Sequence, residues 1–198
     1  GTEGHVQVTQ LIYYVAVSLD GFIAPPDGSV DWLSSYNAGD EDYGFGKFYN
    51  TVDALIEGSK TYEQALTFGE WPHPGKPCWV VTSRKFESKQ PEVHFTSNTP
   101  AELIRHVSSQ GYKRIWLVGG SRLAVSFRVA GLITEYVLSI VPVFLGAGRP
   151  LFASGGPIEN LRLADSTAYP SGLVQVRYTR ASGAQPGAPG DAPKAARP

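Results

Sequence analysis

The sequence lacks several features, and each absence excludes a class of protein. It contains no methionine and a single cysteine, Cys78, so an intrachain disulfide is excluded. Cysteine and histidine do not recur at the spacings of metal ligands, and we therefore predict no metal site. Because 17 Lys and Arg balance 18 Asp and Glu, the formal charge of −1 provides no broad attraction to nucleic acid or to a membrane surface.

Long apolar runs are also missing. No stretch approaches the ~20 apolar residues that span a bilayer, and the N-terminus lacks the charged and then apolar layout of a secretory signal. We therefore expect a cytoplasmic protein. The segment PCWVV contains Cys78, and we expect a small core residue there rather than a nucleophile, because free cysteine is usually buried.

The 198 residues, 42% of them hydrophobic, suit one domain with tails. Residues 181–198 are nearly all Ala, Gly, Pro and polar residues, a composition that cannot offset the entropy of ordering, and we predict a disordered tail. The absence of an initiator methionine indicates that residues 1–9 are an N-terminal remnant. The expected organisation is therefore a single domain over residues 10–180.

Hydrophobic patterns predict an α/β fold. Residues 11–19 are apolar almost throughout, which is typical of a central strand buried on both faces. Strands and helices then alternate, and two strands without a helix between them follow at residues 160–168 and 172–180. This order predicts a three-layer α/β/α sandwich with a mostly parallel sheet and antiparallel C-terminal strands.

The segment RIWLVGGSRLAVSFRVA, residues 114–130, combines a buried strand, a glycine pair and a helix that begins with serine. Gly119 and Gly120 permit an abrupt turn, and the free N–H groups of a helix start attract phosphate. The segment GSKTYE, residues 58–63, is a second turn of this kind and carries Lys60 at its helix start.

A third strand, residues 77–82, ends in Ser83, Arg84 and Lys85. Ligands of open α/β sheets bind beyond the carboxyl ends of the strands. Three strand ends with anion-binding chemistry therefore favour one shared site. Further along the chain, Asp40, Glu41 and Asp42 are expected in the first turn of a helix, where carboxylates complement the helix dipole.

Six segments, in this order, resemble the dihydrofolate reductase-like superfamily, and more closely its branch with the reductase domain of the bacterial riboflavin-pathway deaminase-reductase. They are VAVSLDGFIA (15–24), DWL (31–33), DALIEGSKTYE (53–63), VVTSR (80–84), IWLVGGSRL (115–123) and VPVFLGAGRPLF (141–152). The resemblance implies an NADPH-dependent oxidoreductase that transfers hydride to a small pterin-like or aminopyrimidine-like heterocycle. It also implies a homodimer.

The same resemblance assigns the cofactor residues and implies a cis peptide between the two glycines of the turn. Ser59 stands where many relatives carry arginine, so that Lys60 and Arg84 are left to hold the 2′-phosphate. The assigned set comprises Ala16 and Ile23 beside the nicotinamide; Gly58, Ser59, Lys60, Thr61, Thr82, Ser83 and Arg84 toward the adenosine; and Val118, Gly119, Gly120, Ser121, Arg122 and Leu123 toward the pyrophosphate.

Reduction of a C=N bond requires a proton at nitrogen, and a carboxyl group can deliver or relay it. By likeness to the dihydrofolate reductases, Asp42 is the first candidate. Asp20 and Asp31 are second choices, and Asp20 is equally suited to capping its own turn. The expected walls of the substrate pocket are Val17, Trp32, Phe45 and Phe48.

Two alternatives remain open at this point. One is a 5-amino-6-(5-phosphoribosylamino)uracil reductase of riboflavin biosynthesis, although Phe22 occupies a position where that branch commonly has a basic residue. The other is a nucleotide-binding protein without turnover, because fold does not determine function.

Overall fold

A computed structural model describes residues 9–181. The expectations for residues 1–8 and 182–198 lie outside these described residues. The strands are β1 (Gln10–Ser18), β2 (Phe22–Ala24), β3 (Ala54–Gly58), β4 (Cys78–Val81), β5 (Val93–Thr96), β6 (Arg114–Gly119), β7 (Glu135–Val141), β8 (Arg149–Pro150), β9 (Leu161–Ala168) and β10 (Val174–Arg180). The helices are α1 (Ser34–Asn37), α2 (Phe45–Thr51), α3 (Ser59–Leu66), α4 (Pro100–Ser109) and α5 (Ser121–Val129), and Asp31–Leu33 forms one turn of 3-10 helix.

Eight strands form the main sheet in the order β5-β4-β3-β6-β1-β7-β10-β9. All pairs from β5 to β7 are parallel, and β10 pairs antiparallel with both β7 and β9. This confirms the predicted mostly parallel sheet with antiparallel C-terminal strands. A separate ladder joins β2 to β8, and β8 ends the glycine-rich segment GAGRP, residues 146–150.

Strand β1 is central because its side chains serve both cores. Leu11 and Tyr13 pack on the face covered by α4 and α5. Ile12 packs on the opposite face with Phe48 of α2 and Tyr62 of α3. Apolar residues on successive positions of a strand belong to opposite faces, so a continuous apolar run fits only an interior strand. The three-layer arrangement follows from this double burial.

The segment TPAE, residues 99–102, predicts a helix with a threonine cap and proline in its first turn, and α4 begins there. The Thr99 hydroxyl accepts a hydrogen bond from the Glu102 N–H at 3.3 Å, and the Glu102 carboxylate accepts one from the Thr99 N–H at 3.3 Å. This reciprocal pair is a capping box.

The prediction that Asp40, Glu41 and Asp42 open a helix is wrong. The helix α2 begins at Phe45, and the three acidic residues precede it. Tyr43 has φ 54° and Gly44 has φ 78°, and a chain with two consecutive left-handed residues cannot be part of a right-handed helix. The acidic segment is therefore a loop that leads into α2.

Candidate functional site

Two strand-to-helix turns meet at the carboxyl ends of the neighbouring strands β3 and β6. A methyl group added at Gly58 would lie 3.6 Å from the carbonyl oxygen of Gly119 and 3.7 Å from the backbone nitrogen of Gly120. A methyl group added at Gly120 would lie 3.9 Å from the Thr61 hydroxyl oxygen. The structure thus brings together the two glycine turns that the sequence singled out, with the Thr61 hydroxyl beside Gly120.

The peptide bond between Gly119 and Gly120 is cis, as the resemblance implied. Gly119 has φ 138°, a value that side chains rarely permit, whereas Gly120 is extended at φ −94°. The backbone therefore requires glycine at position 119. At position 120 the backbone accepts a side chain, and an added Cβ would make only an ordinary contact with Thr61 of α3.

Both helices that start at this meeting point lack a side-chain cap. Gly58 is the N-cap of α3 and Gly120 is the N-cap of α5, and neither helix start receives a side-chain hydrogen bond. The contrast is α4, whose N-terminus is closed by Thr99. Uncapped helix starts present free N–H groups and the positive end of the helix dipole, which is the arrangement that binds phosphate.

A groove of about 660 Å³ lies beside the ends of β4 and β5. Its lining comprises Thr82, Ser83, Arg84, Lys85, Phe86, Glu87, Phe95, Thr96 and Ser97. Arg84 does not face the groove as a free cation, because its Nη2 lies 2.9 Å from Glu63 Oε1 and its guanidinium lies 4.8 Å from the centre of the Phe86 ring. The carboxylate of Glu63 on α3 thus partly neutralises Arg84, the cation that we expect to bind the 2′-phosphate.

The remaining residues assigned to the cofactor divide into exposed and packed groups. Lys60 and Arg122 are exposed near the starts of α3 and α5. Val118 and Leu123 pack against the two cores, one on each side of the sheet. Of the nicotinamide candidates, Ala16 packs against the cluster of Tyr43, Val141 and Leu173, and Ile23 lies on β2.

Asp20 holds a loop together. Its carboxylate accepts hydrogen bonds from the Ser18 hydroxyl at 2.5 Å and from the N–H groups of Leu145 at 3.1 Å and Gly146 at 2.8 Å. These bonds, above all the one from Ser18, hold the pKa of Asp20 below its ordinary value. Asp20 therefore fixes the start of the GAGR loop to the end of β1, and a catalytic role for it remains a prediction.

Asp42 is on neither a helix nor a strand. Its two carboxylate oxygens accept hydrogen bonds from the N–H groups of Gly44 at 2.9 Å and Gly46 at 3.1 Å, which closes the start of α2. The carboxylate remains exposed beside this helix start. Asp31 is an exposed residue that opens the 3-10 helix.

The proposed substrate walls belong to two packed clusters. Phe48 stacks on Tyr14 with 4.1 Å between ring centres, and Phe45 meets the Trp116 ring at 5.5 Å. Phe45 is 37% exposed, whereas Phe48 is 9% exposed and belongs to the core. Trp32 packs elsewhere, with Tyr43 and its neighbours, and Val17 is buried. Of the four, Phe45 is the side chain most open to a ligand.

Sequence reasoning missed Glu57, a fully buried carboxyl directly before the Gly58 turn. Its Oε1 accepts a hydrogen bond from the Cys78 thiol at 3.5 Å, and its Oε2 has no partner among the described residues. Burial raises the pKa of Glu57 from 4.5 to about 7. A charged residue in the otherwise apolar strand DALIEG was the available signal.

His73 is a second buried polar residue. It lies among the rings of Tyr49, Trp71 and Trp116, at 5.8, 5.6 and 5.3 Å between ring centres. Burial lowers the pKa of His73 from 6.5 to about 4. Among residues 9–181, no three His, Cys, Asp or Glu side chains are grouped to hold a metal ion. Within the same range, no helix has the length and apolar character needed to cross a membrane.

The mostly parallel eight-stranded sheet with its antiparallel C-terminal strands is that of a dihydrofolate reductase-like α/β domain. The model of the RibD C-terminal domain family matches residues 9–175. The chain therefore belongs to the RibD C-terminal domain family.

Curated relatives come from Bacillus subtilis (strain 168). The chain is 34% identical to the uncharacterized protein YwjB over 171 residues, which cover 86% of this chain and 97% of YwjB. It is 35% identical to the uncharacterized protein YyaP over 180 residues, which cover 85% of this chain and 94% of YyaP.

Solved structures agree. A protein of Shewanella sp. PV-4, assigned provisionally to riboflavin biosynthesis, aligns with a TM-score of 0.79 and 30% identity over 87% of this chain and 99% of that chain. The Thermotoga maritima diaminohydroxyphosphoribosylaminopyrimidine deaminase/5-amino-6-(5-phosphoribosylamino)uracil reductase aligns with a TM-score of 0.67 at 14% identity. That alignment covers 88% of this chain and 57% of the bifunctional one, and it shows the common fold.

Proposed function

We propose that the protein is an NADPH-dependent reductase that transfers hydride to a small pterin-like or aminopyrimidine-like heterocycle. The observation that carries this proposal is the meeting of two uncapped helix starts at Gly58 and Gly120, with the Thr61 hydroxyl beside Gly120. A dinucleotide diphosphate is the ligand that suits paired helix N-termini. The groove beyond Thr82 is then available to the adenosine end.

The nicotinamide would lie near Ala16 and Ile23, beyond the end of β1. The cofactor supplies the hydride, and the protein supplies orientation and a proton. We assign the proton relay to Asp42, because its carboxylate is exposed and fixed by the N–H groups of Gly44 and Gly46. Phe45 is the exposed aromatic face nearest in sequence to this carboxylate and suits a planar substrate.

Reduction of a riboflavin precursor is the second candidate. It is favoured by membership of the RibD C-terminal domain family and by the 5-amino-6-(5-phosphoribosylamino)uracil reductase named in the Thermotoga maritima structure. The two candidates share the cofactor chemistry and differ in the substrate, which carries a phosphoribosyl group in the second candidate.

The test is titration with NADPH followed by a substrate panel of dihydropterins, aminopyrimidines and quinones, monitored at the nicotinamide absorption band. We expect saturable NADPH binding and oxidation of NADPH with one substrate class. Binding without oxidation by any of them would favour a nucleotide-binding protein without turnover. Absence of binding at millimolar NADPH would refute the proposal.

Asp42→Asn examines the proton relay separately. We expect NADPH affinity to be unchanged, because Asp42 precedes α2 and lies outside the two glycine turns, while turnover at neutral pH falls. Urea denaturation serves as a control for loss of the helix cap. Unchanged turnover in a stably folded variant would place the acid elsewhere.

We also propose a homodimer formed through the edge strand β9. Every residue of β9 is exposed, including Leu161 at 39% and Leu163 at 53%. Unpaired backbone groups on a long edge strand with apolar side chains favour pairing with another chain. Light scattering after gel filtration should give twice the 21.4 kDa chain mass, and Leu163→Lys should shift it to the monomer. A monomeric wild-type protein would refute this assembly.

The single cysteine, buried and unpaired, fits the cytoplasmic location that we expect.

A further inference from the structure

Arg149 has no role in the site described so far, although the fold places it at the edge of the proposed cleft. It belongs to β8, which pairs with β2 so that Arg149 is opposite Ala24. The neighbouring Pro150 carbonyl accepts a hydrogen bond from the Ser121 hydroxyl at the start of α5. Arg149 is therefore one residue from a direct contact with the helix start that we assign to the diphosphate.

The guanidinium of Arg149 also lies against the loop after β2. A methyl group added at Gly28 would lie 2.8 Å from Nη2 of Arg149 and 3.1 Å from its Cζ. The Gly28 carbonyl in turn accepts a hydrogen bond from the Gln64 side chain on α3. Through these contacts Arg149 is linked to both helices whose starts form the proposed anion site.

Arg149 makes no salt bridge within the part of the chain that the structure describes. Among the described residues, no carboxylate lies within 4 Å of it, unlike Arg84, which pairs with Glu63 at 2.9 Å. Asp27, the acid of the adjoining loop, accepts a hydrogen bond from the Ser29 N–H at 2.9 Å, and its pKa is lowered mainly by its bonds to Ser29 and to a smaller extent by the charge of Arg149. A half-buried guanidinium loses part of its hydration, and a bidentate anion is the partner that replaces it best.

We infer that Arg149 binds a phosphate group of the ligand held between the loop at Gly28 and the start of α5. This inference rests on the proposed function, since it requires a phosphate-bearing ligand in the same cleft. The phosphate can belong to the diphosphate of the dinucleotide or to a phosphorylated substrate. Both sources present the same chemistry to the guanidinium, and the experiment separates them.

Three variants test the assignment. Arg149→Gln removes the charge, Arg149→Lys retains the charge without the planar fork, and Gly28→Ala retains the arginine but displaces its guanidinium. Arg105→Gln is the matched control, because Arg105 is an exposed arginine on α4, outside the two glycine turns. Calorimetric titration of each folded variant is performed with NADPH, with inorganic pyrophosphate, and with ribose 5-phosphate added to the protein saturated with NADP⁺.

If Arg149 binds a phosphate of the cofactor, Arg149→Gln should weaken the binding of NADPH and pyrophosphate about tenfold or more. Arg149→Lys and Gly28→Ala should then show an intermediate loss of affinity. If Arg149 instead binds a phosphate of the substrate, the affinity of Arg149→Gln for NADPH should be unchanged, and its affinity for ribose 5-phosphate should fall by about the same factor of ten. If Arg149→Gln fails to fold, the affinities of Arg149→Lys and Gly28→Ala for the same three probes distinguish the two cases.

Equal affinity of wild type and variants for all three probes would overturn the inference. A wild-type protein that fails to bind NADPH would refute the proposed function instead. In that case pyrophosphate, and ribose 5-phosphate added without NADP⁺, decide on Arg149 alone: binding that is lost in Arg149→Gln supports the inference, and binding that is absent or unchanged overturns it.

Discussion

Replacement of Glu57 by glutamine should stabilise the protein at neutral and alkaline pH. The Glu57 carboxyl is fully buried, one of its oxygens has no partner among the described residues, and its pKa is raised from 4.5 to about 7 by burial. Because the folded state binds this proton more tightly than the unfolded chain, the stabilisation is complete below pH 4.5. It is lost as the pH rises through 7.

The magnitude follows from the same values. At about 1.4 kcal/mol for each pH unit between the folded and unfolded pKa, ionisation of Glu57 costs about 3 kcal/mol of unfolding free energy at pH 8 and less than about 1 kcal/mol at pH 5. Glu57→Gln removes this titration while preserving the shape of the side chain. The gain in stability over wild type should therefore be larger at pH 8 than at pH 5 by about 2.5 kcal/mol.

The assay is urea denaturation of wild type and variant at both pH values, with Glu70→Gln as the exposed control. The control should show the same small difference from wild type at both pH values. A Glu57→Gln effect that does not change between pH 5 and pH 8 would refute the reasoning, because a buried ionisation is then absent.

Three further predictions concern the buried histidine, a helix cap and the groove cation. In the Glu57→Gln background, stability should fall as the pH decreases from 6.5 toward 4, because burial lowers the pKa of His73 to about 4 and the unfolded chain binds the proton first; urea denaturation that shows no such fall would contradict it. Thr99→Ala should cost about 1 kcal/mol of unfolding free energy by loss of the α4 cap, and an unchanged urea midpoint would count against the capping box. Glu63→Gln should release Arg84 and increase the preference for NADPH over NADH in parallel titrations, whereas an unchanged ratio would place the 2′-phosphate elsewhere.

The layers of the fold could be predicted from the sequence because the apolar pattern of each helix or strand lies within its own residues. The double-sided apolar run of β1 and the Thr99 cap of α4 each specify one element and both are confirmed. The start of α2 was predicted too early, because positive φ at Tyr43 is a non-glycine exception that propensity does not reveal.

The two glycine turns of the site could be predicted because each is formed by consecutive residues of the chain. Gly58 and Gly120 could be recognised separately, and the parallel neighbourhood of β3 and β6 brings them together. Contacts between distant segments could not be read in the same way. Pairing of Arg84 with Glu63 and the position of Arg149 against Gly28 both depend on side-chain packing in three dimensions.

The most direct test of the central claim is calorimetric titration of NADPH into wild type, Gly120→Val and the control Gly39→Ala. The backbone at Gly120 accepts a side chain, and an added Cβ makes only an ordinary contact at 3.9 Å with Thr61. Gly120→Val should therefore fold yet lose NADPH binding, while Gly39→Ala, which has open space around it, should bind like wild type. A folded Gly120→Val variant with wild-type affinity, or a wild-type protein without NADPH binding, would contradict the assignment of this glycine pair to the cofactor.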